Sequence, residues 1–542
     1  MSEMDVVDWW LKPIAWLFAR RPRWRDAVGR ALLWMGNRFY VALAVVLALT
    51  GAWDLFIQPF NKQLSRDNFD WLMTHRLVPY RADPGIVVLD IDEASLAALA
   101  PQFGRWPWSR QVLADVATRV EAGGAQAVLF DILFSDPDLA NKAGDEAFDR
   151  YVGTSRRSFF PVVRLNPNND AQSDVPVSML NFATQDAGTR PDARRTIALI
   201  PPHFDSIYET TRLGTNNIQP DADNIVRWYG NFEALAGYRV PSLAYRMAQL
   251  LHWPLQQHAR SLINWPRGAT PYTTIAFADA YRAAVAGNGA YFARFSGKVV
   301  LIGSTAPSLN DIKATPVNSM HPGIYVLATA LDNTRNDRFL RALNPIWIWG
   351  LELLMLAASA RLFIRTTRAM AVTKYFVIIP GLLLLISLLS LSISDVLADL
   401  GLPAALVLAY FAFAKTFDTN SHDFMSGSGA FAATHSERTQ GQLQIACLPP
   451  SVLKAQVRAL LMRPGCPIKL WEPPKTGLGS LWASQGWILW RWYLPGAAPD
   501  RAPEPSLAWQ DVATVGAEDP FAIAQATTTA ARLAWHTTNA AN

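Results

Sequence analysis

Four apolar runs constrain this chain more than any other feature of its sequence. Phe39 to Ile57 reads FYVALAVVLALTGAWDLFI and would rise about 28 Å as a helix, close to the ~30 Å hydrocarbon core of a bilayer. The other three follow one another late in the chain, from Ile346 to Phe363, from Tyr375 to Ser394 and from Leu400 to Lys415, the last with Pro403 in its first turn, where a missing N–H costs little. Hydrophobic residues make up 51% of the 542 and charged residues only 17%, against about 25% charged in an ordinary soluble domain. The expectation is a few membrane spans joined to large water-soluble parts. Such a composition excludes a disordered protein, and two cysteines, Cys447 and Cys466, exclude a disulfide scaffold.

The net charge of +5 is the difference between 49 basic and 44 acidic residues, and its placement argues against nucleic acid as a partner. Lys12, Arg20, Arg21, Arg23, Arg25, Arg30 and Arg38 crowd the first 38 residues, interleaved with Trp9, Trp10, Trp16, Trp24 and Trp34. Basic residues mixed with indoles beside an apolar run describe a membrane interface. Arg365, Arg368 and Lys374 separate the second and third runs, whereas Asp395 and Asp399 separate the third and fourth. Positive loops stay inside. The expected layout is therefore a cytoplasmic segment at 1–38, a span at 39–57, a periplasmic region at 58–344, spans at 345–364, 375–394 and 400–416, and a cytoplasmic domain at 417–542 with a flexible start over about 418–441. A long aromatic lead without an obvious cleavage site argues against a signal peptide. The cysteine-free region outside and both thiols inside agree with this layout.

Between the first and second runs the pattern alternates. IVVLDI (86–91), AVLFDILF (127–134) and KVVLIGS read as buried strands, and RSLINW as a further strand. Ser109 to Ala122 spaces Val112, Leu113, Val116 and Val120 on one face, with Ser109 as N-cap and Gly123-Gly124 as stop; SLAYRMAQLL, FADAYRAAVAG and PGIYVLATALDN also read as helices. Such alternation predicts an α/β domain with a parallel or mixed sheet covered by helices.

The segments IVVLDIDEASL, GRWPWSRQVLADVATRVEAGGAQAVLFDILFSDPD, GTNNIQPDADNIVRWY, YRVPSLAYRMAQ, INWPRG, GKVVLIGSTAPSLNDIKATPV and HPGIYVLATALDN occur in that order between about 60 and 340. Together they resemble a CHASE type-2 (CHASE2) domain, the extracytoplasmic sensor region of many bacterial signalling receptors. Asn224 stands where the family usually has glycine in a DADG-type turn, and asparagine tolerates a left-handed backbone next best. The resemblance implies a sensor of an external ligand or protein, and receptors of this kind usually end in a kinase, cyclase or diguanylate cyclase. None of those signatures is legible in the tail.

The ligand-facing candidates are Asp90, Asp92, Trp106, Trp108, Arg110, Asp131, Asp223, Arg227 and Asp311. Asp90, Asp92 and Asp131 end strands, where open α/β sheets place their ligands; with Asp136 or Asp138 they have the oxygen chemistry of a hard-cation site. The simpler reading is that they cap helices and fix loops, and no cofactor or metal is expected. WPWSR offers rings for stacking on a ligand or, more simply, filling between a strand and its helix. Gly303-Ser304-Thr305 resembles a phosphate-cradling turn without the P-loop pattern, and PDADN (220–224) reads as a polar turn. His75, His203, His252, His258 and His321 form no ligand pair, and no catalytic triad follows from spacing. Inside the second run, Glu352 is either a coupling residue or a carboxyl near the outer boundary.

In the tail, QLQIACLPP, PIKLWEPP and GWILWRWYLP read as strands, and 451–462 and 519–538 as helices, giving a small α+β domain. Its tryptophans suit a core, a protein-binding surface or the inner leaflet. The expected function is a bacterial inner-membrane sensor without catalytic output whose cytoplasmic domain contacts a separate effector. The alternative is a structural component of an envelope complex that docks through its periplasmic domain. Expected partners are membrane lipid, a periplasmic ligand or protein and a cytoplasmic effector, with self-association left open.

Overall fold

The structure, a computed structural model, describes residues 22–186, 188–268, 270–365, 369–426, 440–448, 461, 468–470, 487–493 and 510–516. The chain before Pro22, most of the low-complexity start of the tail and, apart from Leu461, both helices expected in the tail lie outside them. The chain divides into two units: residues 62–343 with 385–399, and residues 1–61, 344–384 and 400–542.

The first unit is built on a seven-stranded mixed sheet. Helix α2 (Lys62–His75) leads into it, numbered after helix α1 (Pro22–Phe56) of the other unit. Strands β1 (Ile86–Asp90), β2 (Ala127–Phe130), β3 (Ser158–Arg164), β4 (Leu199–Ile200), β5 (Leu213–Thr215), β6 (Thr273–Ala276) and β7 (Val299–Gly303) run in the order β6-β1-β7-β2-β3-β4, with β5 also paired to β3. All neighbours are parallel except β3 and β4. Every residue of β1, β2 and β7 is buried, which is what strands covered on both faces require.

The period-two pleat divides these side chains between two cores. Val87, Leu89, Val128, Val300 and Ile302 face one, with residues of α3 (Glu93–Phe103), α4 (Arg110–Ala122), α5 (Lys142–Thr154) and, later in the chain, Phe277–Val285. Ile86, Val88, Leu129, Val299 and Leu301 face the other, packed with residues of α2, α6 (Leu243–Leu251) and α8 (Gly323–Arg335); Phe277–Val285 is α7. Helix α3 went unread in the sequence. At α4 the expected cap is only positional: Ser109 sits at the N-cap but makes no capping hydrogen bond. A two-stranded hairpin, β8 (Ile312–Thr315) and β9 (Asn318–Pro322), leads into α8.

Among the described residues, four helices are long and apolar enough to cross a membrane, over residues 27–56, 345–365, 375–394 and 401–421, all in the second unit but for 385–394, which group with the first. They belong to α1, α9 (Pro345–Arg365), α10 (Ala369–Ser394) and α11 (Gly401–Ser426). Helix α1 begins well before Phe39 and is broken at Gly36, whose φ of 47° and ψ of −130° are non-helical and easiest for glycine. The fourth helix also outruns its expected end near Lys415. Tyr40 donates from its hydroxyl to Asp418 at 2.9 Å, Tyr410 donates to the Tyr40 carbonyl at 3.1 Å, and Phe39 stacks on Phe417 at 3.9 Å, fastening α1 to α11. In the tail, β10 (Gln440–Leu448), β11 (Ile468–Leu470), β12 (Trp487–Tyr493) and β13 (Gln510–Gly516) form an antiparallel sheet in the order β11-β12-β10-β13. The last of these strands was not foreseen.

Candidate functional site

Parallel strands β1, β7 and β2 end side by side, and the residues that follow them set the chemistry of that edge. Asp90 pairs in register with Gly303, and the Asp131 amide donates to the Ile302 carbonyl at 2.8 Å. The two aspartates therefore flank β7, the strand between them. They serve different ends.

Asp90 is consumed locally. Its carboxylate accepts from the Thr305 amide at 2.8 Å and from the Thr305 hydroxyl at 2.6 Å. Burial nonetheless holds its pKa above the usual carboxylate range, with a smaller push from Asp92. Ser304 donates to the Ile91 carbonyl at 2.7 Å, and the Ser308 amide donates to Glu93 at 2.9 Å. The donors that would make Gly303-Ser304-Thr305 a phosphate cradle are thus turned onto the protein's own groups. Asp92 caps α3, accepting from the Ser95 amide at 2.7 Å.

Asp131 is different. Its carboxyl has one hydrogen bond among the described residues, donated by the Asn216 side chain at 2.6 Å from just beyond β5. Burial, and then the like charge of Asp311, push its pKa up to about 7, against the opposing effects of Asn216 and Lys313. Lys313 pairs with Asp311 at 3.0 Å. Two glycines make the corner possible. A Cβ on Gly303 would crowd Asp131 and Ile324, and one on Gly323, the first residue of α8, would overlap the Asp311 carboxylate. Asp311 thereby rests at a helix N-terminus, where negative charge is favoured. Asp131, Asp311, Lys313 and Asn216 form a partly open corner with one carboxyl that changes charge near neutral pH, chemistry suited to a small polar ligand with both donors and acceptors.

The remaining candidates lie elsewhere. Trp108 is 2% exposed, stacked on Phe277 at 5.8 Å with Trp106 edge-on at 5.1 Å; its ring belongs to the core and is not displayed for stacking. Arg110 donates to the Asp136 carbonyl at 2.6 Å and lies 3.4 Å from Asp145 and 3.9 Å from Asp138, tying down the loop before α5. Arg227, 2% exposed, donates to Asp70 (2.6 and 2.8 Å), Asp221 (3.0 Å) and Asp223 (2.8 and 2.9 Å). That clasp fastens α2 to the PDADN turn, in which Asn224 takes the expected left-handed backbone at φ 65°. Among the described residues no group of three or more His, Cys, Asp or Glu is placed to hold a metal ion. The strand-end trio is separated by β7 and by the α3 cap.

Sequence reasoning passed over Asn216 and Lys313, which only the fold brings to Asp131, and gave His321 no role. His321 is 1% exposed beside Trp265 and Tyr325, neither ring nitrogen has a hydrogen-bond partner among the described residues, and burial lowers its pKa to about 4, keeping it neutral. In the helical unit Glu352 is fully buried against Gly51 of α1, and neither carboxyl oxygen has a hydrogen-bond partner among the described residues. It faces the interior of the helix packing, about two turns into α9. Next to it the Trp349 indole donates to the Ala48 carbonyl at 3.1 Å.

A doubly covered α/β sheet flanked in sequence by helices long and apolar enough to cross a membrane fits a membrane-anchored sensor domain. The CHASE2 domain model matches residues 41–362, more than half of the chain, and the chain belongs to the CHASE2 domain family. No match to an output-domain family accompanies it. No curated protein and no solved structure matches the chain.

Proposed function

We propose that this is a bacterial inner-membrane sensor whose α/β domain lies in the periplasm and whose two ends lie in the cytoplasm. The α/β domain registers a small polar ligand at the Asp131–Asp311–Lys313 corner, and the tail, without catalytic activity of its own, hands the change to a separate effector. One observation carries this reading: the family match runs without a break from α1 through the α/β domain into α9, so the sensing domain and its two flanking helices are one evolutionary unit. For a signal to pass, the ligand must bind two conformations unequally and the helices must have two packings.

The proposal is tested on the full-length protein in detergent by thermal melting against a panel of small polar periplasmic solutes. A ligand at 100 times its Kd should stabilise by about 2.7 kcal/mol, and Asp131→Asn with Asp311→Asn should abolish that gain. A ligand that stabilises the double variant equally binds elsewhere. Deletion of 427–542, which spares all of α11, should leave an inserted protein that no longer captures its cytoplasmic partner. If no solute binds while envelope proteins co-purify through the α/β domain, the docking-component reading takes its place.

A further inference from the structure

A groove of about 510 Å³ runs along the outside of the helical unit between α1 and α9. Its floor is made mostly of alanines, Ala44 and Ala48 from α1 and Ala357 and Ala360 from α9, with the buried Leu356. Short side chains leave the channel, and Val45, Leu49 and Leu353, all exposed, raise its rims. Trp349 closes one end. At the other end stand Arg361 and Arg365, one helical turn apart and so on the same face. Neither has a carboxylate partner among the described residues, and both are exposed. Trp34 is exposed at that end of α1, with the Arg38 guanidinium 5.7 Å from its ring, the aromatic and basic pairing of a headgroup region.

We propose that this groove is a binding site for one anionic glycerophospholipid, an acyl chain lying along the alanine floor and the phosphate held by Arg361 and Arg365. Charge and length both argue for this occupant. An apolar channel ending in two unpaired guanidinium groups matches a molecule that is hydrocarbon along its length and anionic at one end, and arginine is suited to phosphate. From Arg361 back to Trp349 the helix rises about 18 Å, and one leaflet of the hydrocarbon core is about 15 Å thick. A chain anchored at the arginines therefore reaches the middle of the bilayer where the groove runs out. A second copy of this chain would have to bring carboxylates to the same two arginines. The site requires that α1 and α9 cross the membrane, and is independent of which side the α/β domain faces and of any ligand at Asp131.

Native mass spectrometry of the full-length protein, titrated with phosphatidylglycerol and with phosphatidylethanolamine of the same chains, tests it. Phosphatidylglycerol should bind more tightly by roughly ten- to thirty-fold, since each arginine near a membrane surface is worth about five-fold. R361Q/R365Q should erase that preference, and Ala357→Phe, which fills the channel, should weaken both lipids. Glycerol phosphate, the headgroup without its chains, should not compete. Equal binding of the two lipids by the native protein, a preference that survives R361Q/R365Q, or competition by glycerol phosphate would overturn the proposal. So would disulfide-linked dimers of a Val45→Cys variant in vesicles rich in phosphatidylglycerol, which would assign the groove to a second copy. Unchanged melting temperatures control for folding, and if R361Q/R365Q fails that control the Ala357→Phe measurement decides.

Discussion

Arg227 in the α/β domain and Glu352 in the helical unit are both buried, and the two regions treat them in opposite ways. Arg227 directs its donors at Asp70, Asp221 and Asp223, so its desolvation is offset by charge-assisted hydrogen bonds. Glu352 has no such partner and rests against the bare backbone of Gly51. In the α/β domain a buried charge fastens helix α2 to a turn more than a hundred residues away. In the helical unit a carboxyl is accommodated by the absence of a side chain opposite it. The first arrangement reads as architecture. The second sets a carboxyl, without a hydrogen-bond partner among the described residues, into the α1–α9 contact, beside the Trp349–Ala48 hydrogen bond.

The sharpest way to break this contrast is to remove the arginine. Arg227→Met leaves three carboxylates facing one another, and denaturant unfolding of the full-length protein should show a loss of about 3–5 kcal/mol. A loss under 1 kcal/mol would mean that the clasp is a solvated surface feature. Next in size, Gly51→Leu should drive α1 away from Glu352 and cost about 2–3 kcal/mol by overpacking. Adding Glu352→Ala should recover much of that loss, because the two positions share one space. Strict additivity in the double variant would show that they do not touch.

The third prediction concerns pH. The folded pKa of Asp131 is about 7, above the ~3.9 of an unfolded aspartate. Between these values the folded state holds the proton and the unfolded state does not, so stability falls as pH rises from about 4 to 7. Relative to Asp131→Asn, the native protein should lose about 3 kcal/mol between pH 5 and pH 8, read from melting curves at those two values. Parallel curves for the two would mean that the corner is open to water. Smallest, Asp92→Ala removes the α3 cap and should cost about 1 kcal/mol. No change there would mean that packing of Ser95 and Leu99 alone holds the helix end.

Strands β1, β2 and β7 were legible because burial on both faces leaves continuous apolar runs, IVVLD, AVLF and VVLIG, whereas β3, interrupted by Pro161, and the two- and three-residue β4 and β5 were not read. Strand β6 was missed because its TTIA is half polar at the sheet edge, and α3 because Pro101 interrupts an otherwise readable helix. Asp90, Asp92 and Asp131 could be named from their positions after strands. Their roles could not, since Thr305, Asn216 and Asp311 reach them only through strand order, a property of long-range pairing. The Arg227 clasp was hidden for the same reason: Asp70 lies 157 residues away. Glu352 stood out as a charge in an apolar run, but only packing reveals that glycine, rather than a basic partner, faces it.

The layout rests on the α/β domain and the tail lying on opposite sides of the membrane. Replacing Cys447 and Cys466 with serine gives a cysteine-free chain, into which one thiol is introduced at Val285→Cys, an exposed position in α7, or at Asn542→Cys. In spheroplasts a membrane-impermeant maleimide should modify Val285→Cys at once and reach Asn542→Cys only after lysis. Labelling of Asn542→Cys in intact spheroplasts, with Val285→Cys protected, would invert the topology and contradict the proposed direction of sensing.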